Sequence, residues 1–274
     1  MSSSPIAVCP SCPTHGEGPD HRCGVYPSSS LTDAEWVIVE GLLPPPGNRA
    51  GKGGRHEKYC RRVIVDAIFY VVRGGIAWRQ LPRDFPPAMT VYTIFRRWSA
   101  AGGWHRVHDA LRDRVRVRAG RAPQPTAVII DSQSIQGSDT VPAASRGYDA
   151  GKKTNGRKRH IVVDTLGLLL ICHVTAASVQ DRDGARTALT QLRELFTSLG
   201  LVWADGAYAG KLLDWARQNP ALTLEIVKRS DDTTGFVVLP RRWVVERTLA
   251  RITRRRRCVR DYERPPEHHE AMAT

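Results

Sequence analysis

From Leu31 onward the chain alternates short amphipathic stretches with turns marked by Gly and Pro. Thr32-x-x-Glu35 is a capping-box pattern, in which the hydroxyl takes an orphan helix N–H and the Glu reaches back. Trp36, Val37, Val39 and Leu42-Leu43 follow at helical spacing until Pro44-Pro45-Pro46 stops the helix. A loop over 47–54 leads to a second predicted helix, from about Glu57 to Arg73, with Val63, Ala67, Ile68 and Val71 on one side and Gly74-Gly75 at its end. A turn containing Trp78, Pro82, Pro86 and Pro87 leads to a third helix, Thr90 to Ala100, and a fourth runs from about Trp104 to Val117. Short helices with tight connections and many Arg predict a helix-turn-helix-like DNA-binding domain over residues 31–118. A helical cap without DNA contact is the alternative.

After Pro125 the period changes. Thr126 to Ile130 is a short apolar run ending at Asp131. Arg159 to Thr165 and Leu168 to Thr175 are β-rich runs joined at Leu166-Gly167, a hairpin pattern. Asp183 to Phe196 reads as an amphipathic helix, Leu201 to Ala204 as a strand, Lys211 to Gln218 as a helix and Leu222 to Val227 as a strand. A long helix from about Arg241 closes the series. The order β-β-β-α-β-α-β-α predicts a mixed α/β layer domain over 124–264, with 265–274 as a short tail.

Composition narrows the class. With 274 residues, 41% apolar and 25% charged, the chain is long enough to bury a real core without disulfides or a metal. Wholesale disorder is excluded. The best apolar runs, Val63 to Val72 and Leu166 to Ala177, are interrupted by Asp66 and His173. Both are shorter than the ~20 residues of a spanning helix. The opening Met-Ser-Ser-Ser lacks the basic and apolar regions of a secretory signal, so the reading is a cytoplasmic, nucleoid-associated protein without a membrane partner.

The net charge is +14, and it is clustered. Ten Arg and three acids lie between Arg241 and Arg264, so half the net charge sits in that stretch. Clustered positive charge points to a polyanion, and nucleic acid is the first candidate. The six Cys do not form a disulfide framework; three of them lie in the first 23 residues, which are rich in Ser, Pro and Gly and read as a disordered tail over 1–30. Cys9-x-x-Cys12 with His15, His21 and Cys23 leaves a small zinc knuckle open there.

Carboxylates carry the candidate chemistry. Asp131 closes the run Val128-Ile129-Ile130, and Asp205 closes Leu201-Val202-Trp203-Ala204. A carboxylate ending an apolar strand lies at the carboxyl edge of a sheet, where α/β domains place ligands. Glu246 is the sole acid from Gly235 to Arg260 and borders a helix face made by Val245, Leu249 and Ile252. Three converging carboxylates repel one another unless they hold cations, and two hard divalent ions can activate the attacking oxygen and stabilise the leaving oxygen of a phosphodiester. Asp164, Asp181 and Asp183 compete for these roles, and spacing alone does not choose among them.

The motifs resemble a known family. Ile130-Asp131-Ser132-Gln133, Gly147-Tyr148-Asp149-Ala150-Gly151-Lys152-Lys153 and Gly156-Arg157-Lys158-Arg159-His160 are similar to bacterial insertion-sequence transposases of the IS-five group. So are Ala204-Asp205-Gly206-Ala207-Tyr208 and Arg241-Arg242-Trp243-Val244-Val245-Glu246-Arg247-Thr248. The resemblance covers roughly residues 31–265. It implies an α/β fold: an RNase H-like DDE catalytic domain behind a helical domain. The catalytic and metal-holding triad is then Asp131, Asp205 and Glu246, with Mg²⁺ or Mn²⁺, two ions, as cofactor.

The implied reaction is transposition. Water cleaves at each element end to free a 3′-OH, which then attacks target DNA. The implied partners are double-stranded DNA (terminal inverted repeats and target) and a second copy of the chain in a homodimer or larger synaptic complex. The DNA-binding candidates are Arg96 and Arg97 on the third helix, the run Lys152, Lys153, Arg157, Lys158 and Arg159, and Arg242, Arg251 and Arg254 near the C-terminus. The pattern departs from the family at Thr253, where relatives carry a basic residue, and Thr274 reads as an early end. Two rival readings stay open: an RNase H-fold DNA nuclease that joins no strands, and a catalytically inactive DNA-binding remnant.

Overall fold

The computed structural model describes residues 26–45, 57–227 and 243–274. The chain divides into two compact units, Met1–Val107 and His108–Thr274. The first is helical. In α1 (Asp33–Glu40) the capping box forms: the Thr32 hydroxyl accepts from the Glu35 N–H at 3.3 Å and the Glu35 carboxylate accepts from the Thr32 N–H at 2.8 Å. α2 (Arg61–Gly74) begins later than its periodicity predicts, after Cys60, which makes no side-chain cap. It ends on Gly75 at φ 71°, a left-handed conformation that glycine takes without steric cost. α3 (Ala88–Ala100) and α4 (Gly103–Arg118) follow. Val65, Ala67, Val71, Val91, Phe95 and Trp98 are buried between them, with Trp104 against Phe95 and Trp98 at 6.2 and 5.8 Å.

The second unit takes in the end of α4. Arg112 stacks over Phe196 at 4.9 Å, and Arg116 pairs with the buried Asp164. These bonds tie the end of α4 into the second unit. Among the described residues one mixed sheet forms: β1 (Ala127–Gln136), β2 (Gly147–Asp149), β3 (Thr154–Asp164), β4 (Leu169–Ala176), β5 (Leu201–Ala204) and β6 (Thr223–Ile226). Their order is β2-β3-β1-β5-β6, with β4 also alongside β3. β1, β2 and β4 each pair antiparallel with β3, whereas β5 runs parallel to both β1 and β6.

Helices cover both faces. Val128, Ile130 and Val162 point into a core with Ala185, Ala188, Leu189 and Leu192 of α5 (Asp181–Leu195) and Leu212 and Ala216 of α6 (Lys211–Gln218). The opposite face carries α7 (Trp243–Thr253), packed on β1 and β3, and α8 (Pro266–Ala273), packed on β4. Residues 265–274, expected as a tail, are thus part of the fold. His269 is fully buried, and Glu270 accepts from the Val174 N–H at 2.7 Å. That bond satisfies a backbone donor on β4, on the side away from β3.

Two strands are longer than the apolar runs predict. β1 continues through Asp131 to Gln136, and β3 begins at Thr154, because each supplies the other's backbone partners from Val128↔Asp164 to Gln136↔Gly156. Polar residues therefore stay in strand where a hydrophobic pattern alone reads loop. No helix among the described residues is long and apolar enough to cross a membrane.

Candidate active site

Alternation along β1 sorts its side chains. Val128 and Ile130 enter the α5–α6 core, so Ile129 and Asp131 face the side covered by α7. Across the parallel pair, Ala127 lies opposite Leu201, Val128 opposite Val202 and Ile129 opposite Trp203. The pairing ends there, two residues short of Asp131 on β1 and of Asp205, which follows β5. β5 and β6 end at Ala204 and Ile226, so this is the edge at which the parallel part of the sheet stops. Asp131 stands inside β1, not at its end, and the edge is made by its shorter neighbours.

Both carboxylates are partly exposed. Asp131 accepts from the Ser132 N–H at 2.7 Å. Asp205 caps the short 3-10 turn Gly206–Tyr208, accepting from the Ala207 N–H at 2.9 Å. Behind them lies Tyr208, 1% exposed, with its hydroxyl near Ser132 but in no well-formed hydrogen bond. Burial, and then the negative charges of Asp131 and Asp181, push its phenol pKa well above the usual value.

Glu246 lies in the first turn of α7 and is exposed, while Val244, Val245, Thr248, Leu249 and Ile252 face the sheet. The helix is pinned to the β3–β4 hairpin: Thr248 donates to the Gly167 carbonyl at 2.7 Å and Arg247 to that of Leu166 at 2.8 Å. Gly167 has φ 82°, and a Cβ there would lie 2.9 Å from Arg247 and 3.3 Å from Val244. Asp131 and Asp205 each stand two residues past the last β1–β5 pair. Among the described residues, no three of His, Cys, Asp and Glu gather closely enough to hold a metal ion, so Glu246 does not complete such a cluster here. The donor chemistry of these aspartates, all oxygen and anionic, fits a hard divalent cation.

Two of the competing acids, Asp164 and Asp181, have partners of their own. Asp164 is fully buried, pairs with Arg116 and accepts from the N–H groups of Leu166 and Leu168 at 2.9 and 2.8 Å. Asp181 lies 2.8 Å from the Lys158 ammonium. Asp183 is in the first turn of α5.

Residues 122–273 match the family described as "Transposase DDE domain". The chain belongs to that family. Residues 31–108 match "Putative transposase of IS4/5 family". The chain is 32% identical over 108 residues to the "Insertion element IS402 uncharacterized 16.2 kDa protein" of Burkholderia cepacia, covering 39% of this chain and 72% of that protein. It is 31% identical over 72 residues to "Uncharacterized protein y4sN" of Sinorhizobium fredii, covering 26% of this chain and 54% of that protein. A DDE transposase is a DNA-processing enzyme with an RNase H-like fold, and the mixed sheet with helices on both faces agrees with it.

The basic residues of this transposase divide sharply. Arg96 and Arg97 are exposed on α3, away from the buried Val91, Phe95 and Trp98. Lys152 and Lys153, at the tip between β2 and β3, are exposed, and so are Arg251 and Arg254. The rest of the expected basic loop is strand and is buried. Arg157 is fully buried, bonding Asp261 and the Glu263 carbonyl, each at 2.8 Å. Arg159 bonds the Cys258 carbonyl at 2.9 Å and the Gln133 side chain. Lys158 is held by Asp149, Asp181 and the Val179 carbonyl.

These three cations are therefore structural and do not face DNA. Within the Arg254–Arg257 block, Arg257 is buried on Glu263 at 2.6 Å. Arg242 and the Cys9, Cys12, His15, His21, Cys23 group lie outside the described residues.

Sequence reasoning passed over Asp149 and Tyr208 as site residues. The signal for Asp149 is local: an Asp three residues before Lys152, a spacing at which a carboxylate takes a turn N–H.

Proposed function

We propose that this transposase binds the ends of an insertion sequence and catalyses metal-dependent strand cleavage followed by strand transfer into target DNA. The observation that supports the reading is the β1–β5 register, whose last pair, Ile129↔Trp203, precedes Asp131 and Asp205 by two residues on each chain segment. Asp131 and Asp205, joined by Glu246 from α7, would hold the Mg²⁺ or Mn²⁺ ions. Bound there, they supply Lewis-acid activation of the attacking oxygen and charge stabilisation of the leaving oxygen. The chain contributes the ligands and the alignment. In the first step a water oxygen bonds to phosphorus and the 3′ oxygen leaves as a hydroxyl. In the second that hydroxyl attacks a target phosphorus and displaces the neighbouring 3′ oxygen. No protein nucleophile is needed.

Arg96 and Arg97 read the ends from α3, while Lys152, Lys153, Arg251 and Arg254 grip phosphates. Two copies of the chain bring two ends together.

The test uses a duplex carrying the inverted repeats that flank the coding sequence. Mg²⁺ and Mn²⁺ should support cleavage and joined products, and Ca²⁺ should support binding alone, since its looser coordination suits in-line transfer poorly. Full cleavage in chelator overturns the metal reading. Cleavage without joined products favours the nuclease, and binding without cleavage in Mg²⁺ or Mn²⁺ favours the remnant.

A further inference from the structure

The tip of the β2–β3 hairpin is built around one carboxylate. Asp149 is paired with Thr154 across the hairpin, and residues 150–153 form the loop between them. One Asp149 oxygen accepts from the Lys152 N–H at 3.1 Å, the other from the Ser134 hydroxyl at 2.6 Å, and the Lys158 ammonium lies 3.2 Å away. Lys158 is also 2.8 Å from Asp181, so a buried cation ties the hairpin to the start of α5. Lys153 closes the turn at φ 50°, a left-handed conformation costly for a residue with a side chain. Held this way, the Lys152 ammonium lies 3.2 Å from the Ser132 carbonyl and 3.3 Å from its hydroxyl. Ser132 is the residue after Asp131. An exposed cation is thus fixed one residue from the proposed catalytic edge, and a distinct carboxylate fixes it.

We propose that Asp149 is a positioning residue for DNA, acting through Lys152, whose ammonium it holds at Ser132 to receive a backbone phosphate next to the Asp131–Asp205 edge. This rests on the DNA-processing reading above and adds what it lacks, an acid that strengthens the grip on a polyanion. The low carboxyl pKa agrees: against a burial that raises it, the Ser134 hydroxyl, the Lys152 N–H and Lys158 bring it to about 2, so Asp149 is ionised throughout the working range.

The sign of the effect makes the idea testable. Removing a negative charge from a DNA-binding surface by itself tightens binding. Positioning predicts the reverse. Binding of the full chain to a random-sequence duplex is measured at several salt concentrations for wild type, Lys152→Ala, Asp149→Ala, Asp149→Asn and the double variant Asp149→Ala/Lys152→Ala, with thermal melts to confirm folding.

Lys152→Ala should weaken binding and reduce the log–log salt slope by about 0.9, one phosphate contact. Asp149→Ala should produce the same loss, the double variant should lose no more, and Asp149→Asn, which keeps an acceptor for the Lys152 N–H, should recover most of it. Tighter or unchanged binding by a folded Asp149→Ala, or additive losses in the double variant, overturns the proposal. If Asp149→Ala melts early, Ser134→Ala, which removes one bond to Asp149, should show a smaller loss of the same sign, and its absence overturns the proposal equally. Failure of the wild type to bind any duplex overturns the DNA reading itself, which the variants alone cannot do.

Discussion

Aspartates that look alike in sequence live differently in and beside the β1–β3 strand pair. At one end Asp164 closes β3, fully buried, with Arg116 on one oxygen and two backbone N–H groups on the other. Past the last pair of β1 with β5 come Asp131 and Asp205, both partly exposed, each accepting a local N–H. Each of the three follows an apolar run. The difference is coverage. α4 and the Leu166–Gly167 turn close over Asp164, whereas β5 and β6 stop short and leave an edge. A buried carboxylate with a full set of partners stabilises a fold, and Asp131 and Asp205 differ from Asp164 in being partly exposed.

The largest effect that sharpens this contrast is on chemistry. Asp131→Asn and Glu246→Gln should each reduce cleavage of an end duplex to background while leaving its binding intact, because each swap removes ligand charge and keeps shape. Asp164→Asn should keep its activity per folded molecule. Gel assays of cleavage beside binding decide it, and a dead but fully folded Asp164→Asn would erase the distinction between the buried and the exposed aspartates.

Next in size is stability. Asp164→Ala leaves the Arg116 cation buried without its carboxylate and should cost about 3–5 kcal/mol in urea unfolding. Replacing both members by apolar residues should recover most of that loss. A cost under about 1 kcal/mol for Asp164→Ala would mean that this end is not closed as described.

A smaller effect is expected with pH. His160 on β3 is fully buried against α5, and burial lowers its pKa from 6.5 to about 4, with Asp181 opposing and His173, Lys158 and Lys152 adding to the shift. Between those values the unfolded chain takes up a proton that the folded one refuses. Stability should therefore fall as pH drops from 6.5 towards 4, and His160→Gln should flatten that slope. An unchanged slope in the variant would place the pH dependence elsewhere.

Least in size is the phosphate grip. Neutralising Lys153 or Arg254 should each reduce the salt slope of DNA binding by about 0.9, and Arg96→Ala or Arg97→Ala should narrow the gap between end DNA and random DNA by about 1–3 kcal/mol. Reversal of these two outcomes would exchange the surfaces assigned to positioning and reading.

Much of this was legible before any coordinates. The capping box at Thr32, the strand at Leu201–Ala204 and the helix at Lys211–Gln218 follow from local signals and form as expected. The parallel pairing of β1 with β5 was legible only as two apolar runs each followed by an acid, because register is a property of two strands at once. The fate of the basic run was not legible. Arg157 and Arg159 are buried by β3's central place and by partners Asp261 and Gln133, far along the chain or across the sheet. Charge density along a sequence does not reveal which cations a fold will enclose. α8 was missed for a related reason: its small and polar residues show no helical stripe, and its order comes from packing on β4.

The aspartate edge is tested most directly by one substitution and two readouts. Asp205→Asn is compared with wild type for Mn²⁺ binding by titration calorimetry and for cleavage of an end duplex in Mn²⁺, with duplex binding as the control. The account predicts that wild type binds Mn²⁺ and cleaves, and that Asp205→Asn loses both while holding the duplex as tightly. Cleavage by Asp205→Asn at the wild-type rate would contradict it.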